Sequence, residues 1–140
     1  SGCKVITSAS CMLLALQTLD IKTVTLITPS SKELNRLEIA FLEEAGVKVT
    51  AQGGFHFSSP RDILSISPDE VTDLVRRVDS AESDGVLISC SGLHVMEIID
   101  PLEKELGKPV LASNQFGLWG CLRALGVYDK LSGIGILFER

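Results

Sequence analysis

Short runs rich in valine and isoleucine alternate along this chain with longer segments of helical period, and glycine or proline stands at the boundaries. A strand buried on both faces needs such a continuous apolar run, and a helix that covers it needs an apolar stripe. The alternation therefore restricts the chain to parallel α/β folding. The expected fold is an α/β domain with a four-stranded, largely parallel sheet and helices on both faces.

Residues 4–7 read as a short extended start and 9–19 as a mostly apolar helix. A strand at 23–28 stops at Pro29, and 32–45 is an amphipathic helix that Gly46 closes, with Leu34, Leu37, Ala40, Phe41 and Ala45 expected toward the sheet. Strand 47–51 opens into a long connection, 52–66, that contains Gly53-Gly54-Phe55-His56-Phe57; a loop of that length in a compact domain has a job or is disordered. Ser67 is the expected N-cap of the next helix, with Pro68 at N1 and Glu70 completing a capping box. Val71, Leu74, Val75 and Val78 form its buried stripe, and it ends near Asp79. A strand at 85–89, a helix at 94–106, a strand at 109–112 and a helix at 115–125 follow, the last capped by Ser113 or Asn114. Residues 132–138 look like a final extended segment.

A chain of 140 residues with 45% hydrophobic content can bury a core without disulfide support. Its net charge of -5, with acids and bases intermixed, leaves no basic stripe for phosphates, so nucleic acid is not an expected partner. No apolar run approaches the roughly 20 residues of a membrane span, and no signal-peptide pattern is present, so a cytoplasmic location and no membrane association are the expectations. Cys3, Cys11, Cys90 and Cys121 show neither C-x-x-C spacing nor the density of a disulfide scaffold, and His56 and His94 are the only histidines. Reduced thiols and no metal are expected.

Open parallel sheets bind ligands beyond the carboxyl ends of their strands. That rule brings Thr28-Pro29-Ser30, Gly53-Gly54, Ser89-Cys90-Ser91-Gly92 and Ser113-Asn114-Gln115 to one rim, which offers hydroxyls, amides and backbone N–H groups around one thiol and suits a small carboxylate. Cys90 ends a buried strand and precedes a helix expected near Leu93, where free N–H groups and the positive end of the dipole favour thiolate. A free cysteine is often simply packed, but flanking Ser89, Ser91 and Gly92 tilt the balance toward function. Cys11 and Cys121 lie in apolar helices and are expected to be core residues. His94 is placed to assist the thiol or to cap the following helix, with no acidic orienter evident, and His56 is expected to be solvated. No G-x-G-x-x-G follows a strand, there is no Walker A sequence, and Ile88 occupies the position where a hydrolase elbow wants glycine.

The stretch Ser83-Asp84-Gly85-Val86-Leu87-Ile88-Ser89-Cys90-Ser91-Gly92-Leu93, followed by Leu106-Gly107-Lys108-Pro109-Val110, Ser113-Asn114-Gln115, Leu118-Trp119 and Leu122-Arg123-Ala124-Leu125-Gly126, resembles the aspartate/glutamate racemase superfamily. Within it the nearest likeness is to maleate cis-trans isomerases and arylmalonate decarboxylases. Thr28-Pro29 with Asn35 matches the segment after the first strand of the family's second domain, so the likeness runs across nearly the whole chain. It implies a flavodoxin-like half of a two-domain racemase-type fold, with a cleft between two facing α/β domains and no cofactor.

Cys90 matches the family's second catalytic position. The resemblance implies that it protonates an enediolate after loss of carbon dioxide, exchanges a proton beside a carboxylate, or adds to a double bond to permit rotation. Ser91 and Gly92 would hold carboxylate oxygens through their N–H groups, with Thr28, Ser30, Ser113, Asn114 and His94 as further substrate-binding candidates. Three departures stand out. The chain is expected to begin where the family's first domain is nearly finished, Ser30 stands where the family often has tyrosine, and Cys-Ser-Gly is nearer the decarboxylase pattern while Ser113-Asn114-Gln115 leans toward isomerases.

The expected organisation is 1–22 as the end of that first domain and a connecting helix, 23–126 as the α/β catalytic half, and 127–140 as an extension packing on the absent domain or a partner. Exposed apolar surface should follow, covered by self-association as a homo-oligomer, by a separate chain, or by the N-terminal half. The leading functional expectation is a cofactor-independent cysteine acid/base enzyme, isomerase, racemase or decarboxylase, acting on a small mono- or dicarboxylate. The alternative is an inactive half-domain that binds a carboxylate or serves as a subunit of a larger assembly.

Overall fold

Thr23–Thr28 forms β1, and its buried residues alternate between the two faces of the sheet as a strand requires: Val24 and Leu26 point one way, Ile27 the other. The computed structural model describes residues 5–55 and 60–140, so the expectations for Cys3 and His56 lie outside the described residues. Within them, α1 (Ser8–Thr18) precedes β1, then follow α2 (Lys32–Glu44), β2 (Lys48–Gly54), a 3-10 turn (Pro60–Ser65), α3 (Pro68–Val78), β3 (Gly85–Ile88), α4 (Met96–Leu106), β4 (Val110–Ala112), α5 (Ser113–Ala124) and a closing 3-10 turn (Ile136–Glu139). The sheet order is β2-β1-β3-β4 and every pairing is parallel.

Two apolar layers sandwich the sheet. Cys11, Met12, Ala15 and Leu16 of α1, Leu42 of α2, and Phe116 and Trp119 of α5 cover one face against Val24, Leu26, Leu87 and Leu111. Val71, Leu74 and Val75 of α3 with Ile99 and Leu102 of α4 cover the other against Ile27, Val86, Ile88 and Val110. No helix among the described residues is long and apolar enough to cross a membrane.

Several helix ends follow from local chemistry. Ser67 caps α3 by accepting from the Glu70 N–H while Glu70 accepts from the Ser67 N–H, which is the expected capping box. β2 runs on through Gly53 and Gly54, beyond the expected 47–51, because both glycines allow close approach. A β-carbon at Gly54 would stand 2.7 Å from the Thr28 carbonyl oxygen, and one at Gly53 would stand 2.8 Å from Val78 Cγ2.

Four expectations need correction. The buried face of α2 consists of Asn35 and Leu42 with half-buried Glu38 and Ile39, whereas Leu34, Leu37 and Phe41 are exposed. Asn35 is drawn inward by its hydrogen bonds to the end of β1, and that fixes the helix rotation. The helix expected from residue 94 begins at Met96, because buried Leu93 and Val95 hold the intervening chain against the core in a non-helical path. Helix α5 is not capped by Ser113 or Asn114: it starts at Ser113 with Ala112 at the N-cap, and the Gln115 side chain folds back to accept from the Ala112 N–H at 3.3 Å. The tail does not extend. It closes in a 3-10 turn with Leu137 and Phe138 fully buried beside α1 and α5, tied down by Gln115 donating to the Ile134 carbonyl and by Glu103 accepting from the Ile136 N–H.

Candidate active site

After β1 the chain goes to β2 on one side and then crosses to β3 on the other, so the strand order reverses between β1 and β3. A crevice opens at such a switch point, outside the carboxyl ends of the two strands. The segments that leave the two strands at this switch point are Thr28-Pro29-Ser30 and Ser89-Cys90-Ser91-Gly92. The Ser89 N–H still donates to the Ile27 carbonyl at 2.8 Å, so ladder pairing holds through Ser89 and releases the chain at Cys90.

Alternation along β3 decides what each of these residues faces. Ser89 follows the side of Leu87, toward α1, α2 and α5, and Cys90 follows Ile88, toward α3 and α4, where it packs on the apolar layer. Cys90 is half-buried, while Cys11 is buried and Cys121 exposed. The sulfur is therefore neither entombed nor free. Its bonded partner is the Gly92 N–H, which donates to Sγ at 3.3 Å within a turn that the Leu93 N–H closes onto the Cys90 carbonyl at 3.4 Å. A hydrogen bond of this kind strengthens as negative charge develops on sulfur.

The expected helix dipole is not at the thiol. Helix α4 starts six residues after Cys90, and a dipole's influence falls off within the first turn. The donor beside the sulfur is instead the turn amide of Gly92. Cys121, expected in the core, is solvent-exposed because it sits beside Gly120 on the flank of α5, and Gly120 is the residue that faces α1.

The remaining predicted residues divide into three groups. Thr28 is fully buried and its hydroxyl is engaged twice, donating to Asn35 Oδ1 at 2.7 Å and accepting from the Ser30 N–H at 2.8 Å, so it shapes the rim. Ser30 is half-buried and lines a cavity of about 570 Å³ with Asn35, Arg36, Gly53, Gly54 and Phe55; Cys90 is not among its lining residues. His94 and Asn114 are both exposed and line a second cavity of about 260 Å³, across which Asn114 Nδ2 donates to the Leu93 carbonyl at 3.3 Å. Ser91 is exposed at the tip of the turn.

Ser113 is buried and belongs to a third cavity of about 320 Å³ between α1, α2 and α5, where it meets Ser89, Met12, Phe41, Phe116 and Glu38. Glu38 had no place among the expected site residues. Burial pushes its carboxyl above the ordinary glutamate range, and the hydrogen bond from the Ser89 hydroxyl partly opposes this. The spacing Asn35, Glu38, Ile39, Leu42 is a helical stripe that places this acid on the inner face, and it was the available signal. The structure thus brings Ser89 and Glu38 together directly behind Cys90. Among the described residues no three His, Cys, Asp or Glu side chains cluster as metal ligands would.

Comparison with known proteins places this geometry in a family. The family model described as arylmalonate decarboxylase matches residues 1–138. The arylmalonate decarboxylase of Bordetella bronchiseptica is 30% identical over 142 residues, covering 99% of this chain and 59% of its own length. A structure of the Nocardia farcinica maleate cis-trans isomerase bound to TRIS aligns with a TM-score of 0.91 and 26% identity, over 96% of this chain and 55% of that one. A cysteine-to-serine variant of the same isomerase, with a covalently bound succinylcysteine intermediate, aligns with a TM-score of 0.89 and 25% identity over 94% of this chain and 54% of that one. The chain spans between half and three fifths of the length of the relatives it matches. With a match across nearly every residue and the same parallel sheet, the chain belongs to the arylmalonate decarboxylase family.

Proposed function

We propose that the chain supplies the Cys90 half of a cofactor-independent acid/base enzyme acting on small mono- or dicarboxylates. The observation that carries the reading is the half-buried Cys90 sulfur at the β1/β3 switch point, held by the Gly92 N–H at 3.3 Å. In a decarboxylation, a carboxylate leaves as carbon dioxide and the resulting enediolate carbon takes the Cys90 proton. In a cis-trans isomerisation, the Cys90 sulfur adds to one alkene carbon, the new single bond rotates, and the sulfur leaves with its electron pair as the double bond reforms. In the Nocardia farcinica relative a succinylcysteine forms on a cysteine other than the one replaced by serine, so thiol addition is chemistry known in that relative, without assigning it to the position of Cys90.

The Ser91 N–H is the turn donor for a substrate carboxylate, the Gly92 N–H being given to the Cys90 sulfur, with Ser30, Asn114 and His94 on the flanking rim. Thr28 and Ser113 act by holding the rim in place, since both are buried. A second reading has the chain binding carboxylate without turning it over.

One experiment separates the two readings. The chain is incubated in deuterated buffer with maleate and, separately, with phenylmalonate, while amide shifts of the Ser89–Leu93 turn are followed by NMR. Conversion of maleate to fumarate, or deuterated phenylacetate from phenylmalonate, lost in Cys90→Ala, establishes the enzyme. Shifts in the turn without product establish the binding domain, and neither response overturns both.

A further inference from the structure

Two further thiols share one cavity on the face of the sheet away from Cys90, bordering the rim residues Ser113 and Asn114. Cys11 on α1 and Cys121 on α5 both line a recess of about 320 Å³ with Ile6, Gly117 and Leu118. The helix backbones nearly touch there. A β-carbon at Gly120 would collide with the Cys11 sulfur and stand 2.9 Å from the Cys11 Cβ and 3.5 Å from its Cα, and Cys121 is the next residue. Consecutive Cα atoms lie about 3.8 Å apart, so Cys121 is one residue step from that contact, and a disulfide asks for a Cα separation of roughly 4.4–6.8 Å.

The geometry points to Cys11 and Cys121 as a modification site, a thiol pair that a small disulfide oxidant converts into a cross-link between α1 and α5. The two members have different parts. Cys121 is exposed and reachable, and Cys11 is 3% exposed and shielded. The Cys121 thiolate attacks one sulfur of oxidised glutathione, forming a protein–glutathione mixed disulfide and releasing one glutathione. Cys11, after losing its proton to solvent, then attacks the Cys121 sulfur, forming the protein disulfide and expelling the second glutathione. Two protein thiols are oxidised and one small disulfide is reduced to two thiols. Burial and the neighbouring Cys121 thiol both push the Cys11 thiol up, with the Ser10 hydroxyl opposing, so the second, intramolecular step is the slower one and quickens as pH rises. Cys90 packs on the α3/α4 layer across the sheet, so the pair is separate from the candidate catalytic thiol.

The test is incubation of the chain with oxidised glutathione near neutral pH, followed by blocking with iodoacetamide, proteolysis and mass spectrometry. The expected result is a peptide linking Cys11 to Cys121, loss of two alkylatable thiols, and recovery of both on reduction. In Cys121→Ser the link disappears and Cys11 stays free. In Cys11→Ser, checked for folding by circular dichroism, Cys121 keeps glutathione as a stable adduct. If the unmodified protein stops at glutathione on Cys121 with Cys11 free, or pairs Cys121 with Cys3 or Cys90, the proposal is overturned. The exposed Cys121→Ser change does not threaten the core, so that arm stands even where Cys11→Ser fails to fold.

Discussion

The Gly92 N–H and the Cys90 Sγ lie 3.3 Å apart, within a turn that the Leu93 N–H closes onto the Cys90 carbonyl. A β-carbon at Gly92 would stand 3.2 Å from Ile63 Cγ2 and 3.5 Å from Sγ, while Gly92 is not among the glycines with positive φ. Gly92→Ala is therefore tolerated by the backbone and opposed only by neighbouring side chains. We expect a stability loss of about 1 kcal/mol or less in urea unfolding. The Cys90 alkylation rate, read peptide by peptide, should fall several-fold as the turn shifts away from the sulfur. An unchanged rate would mean that the amide contact does not tune the thiol.

The Glu38 carboxyl behind Cys90 gives a pH signature. Its folded-state proton affinity is raised by burial, so the folded chain holds the proton to higher pH than the unfolded chain does. The associated stability is fully present below the ordinary glutamate value of about 4.3 and is lost as pH rises through the raised folded value. Glu103 shifts in the same direction, again chiefly through burial and despite accepting from the Val110 and Ile136 N–H groups. Glu38→Gln should therefore flatten, without abolishing, the decline of unfolding free energy above that pH. A pH series of urea melts measures it, and an unaltered slope would show that Glu38 titrates normally.

Asp84 gives the opposite sign. It accepts from the Lys22 N–H at 3.0 Å and the Thr23 N–H at 2.9 Å, and these donors, the Lys22 amide foremost, hold its carboxyl below the usual aspartate range. Its stabilisation is present above the ordinary aspartate value of about 3.9 and is lost as pH falls through the depressed folded value. Asp84 is solvent-exposed, so Asp84→Asn should cost only about 1 kcal/mol at pH 7 and less in acid. Thermal melts at pH 7 and pH 3 check both halves.

The sheet is legible in the sequence because β1, β3 and β4 are buried on both faces, and only continuous apolar runs such as Gly85-Val86-Leu87-Ile88 satisfy that. The α3 start is legible because its capping box is a purely local exchange of hydrogen bonds. The inner face of α2 is not, because Leu34, Leu37 and Phe41 form a helical stripe as regular as the buried one, and what selects between them is the hold that Thr28 and Ser30, outside the helix, have on Asn35. Likewise, Cys90 at a strand end is visible in the sequence, but the delay of α4 is set by burial of Leu93 and Val95 in the α3/α4 layer. Glu38 is hidden because an acid on an amphipathic helix reads as solvated until its neighbours are placed.

At the edge of the sheet opposite the candidate site, Lys108 Nζ meets Asp79 Oδ2 at 3.1 Å with both side chains largely buried, 14% and 13% exposed, and also donates to the Ser80 carbonyl at 2.8 Å. Asp79 Oδ1 accepts as well from the Thr25 hydroxyl at 3.1 Å. Lys108→Met leaves the Asp79 charge out of water with Thr25 as its remaining side-chain donor, and we expect a loss of about 2–3 kcal/mol. The double change Lys108→Met with Asp79→Asn removes the stranded charge while keeping an acceptor for Thr25, so it should recover part of that loss. Because this edge is remote from Cys90, neither variant should change the Cys90 alkylation rate in the folded protein. Urea melts of the wild type, both single variants and the double variant close the thermodynamic cycle. If the double variant loses as much as the sum of the singles, the two side chains are energetically independent and the pair does not anchor β4 to the end of α3.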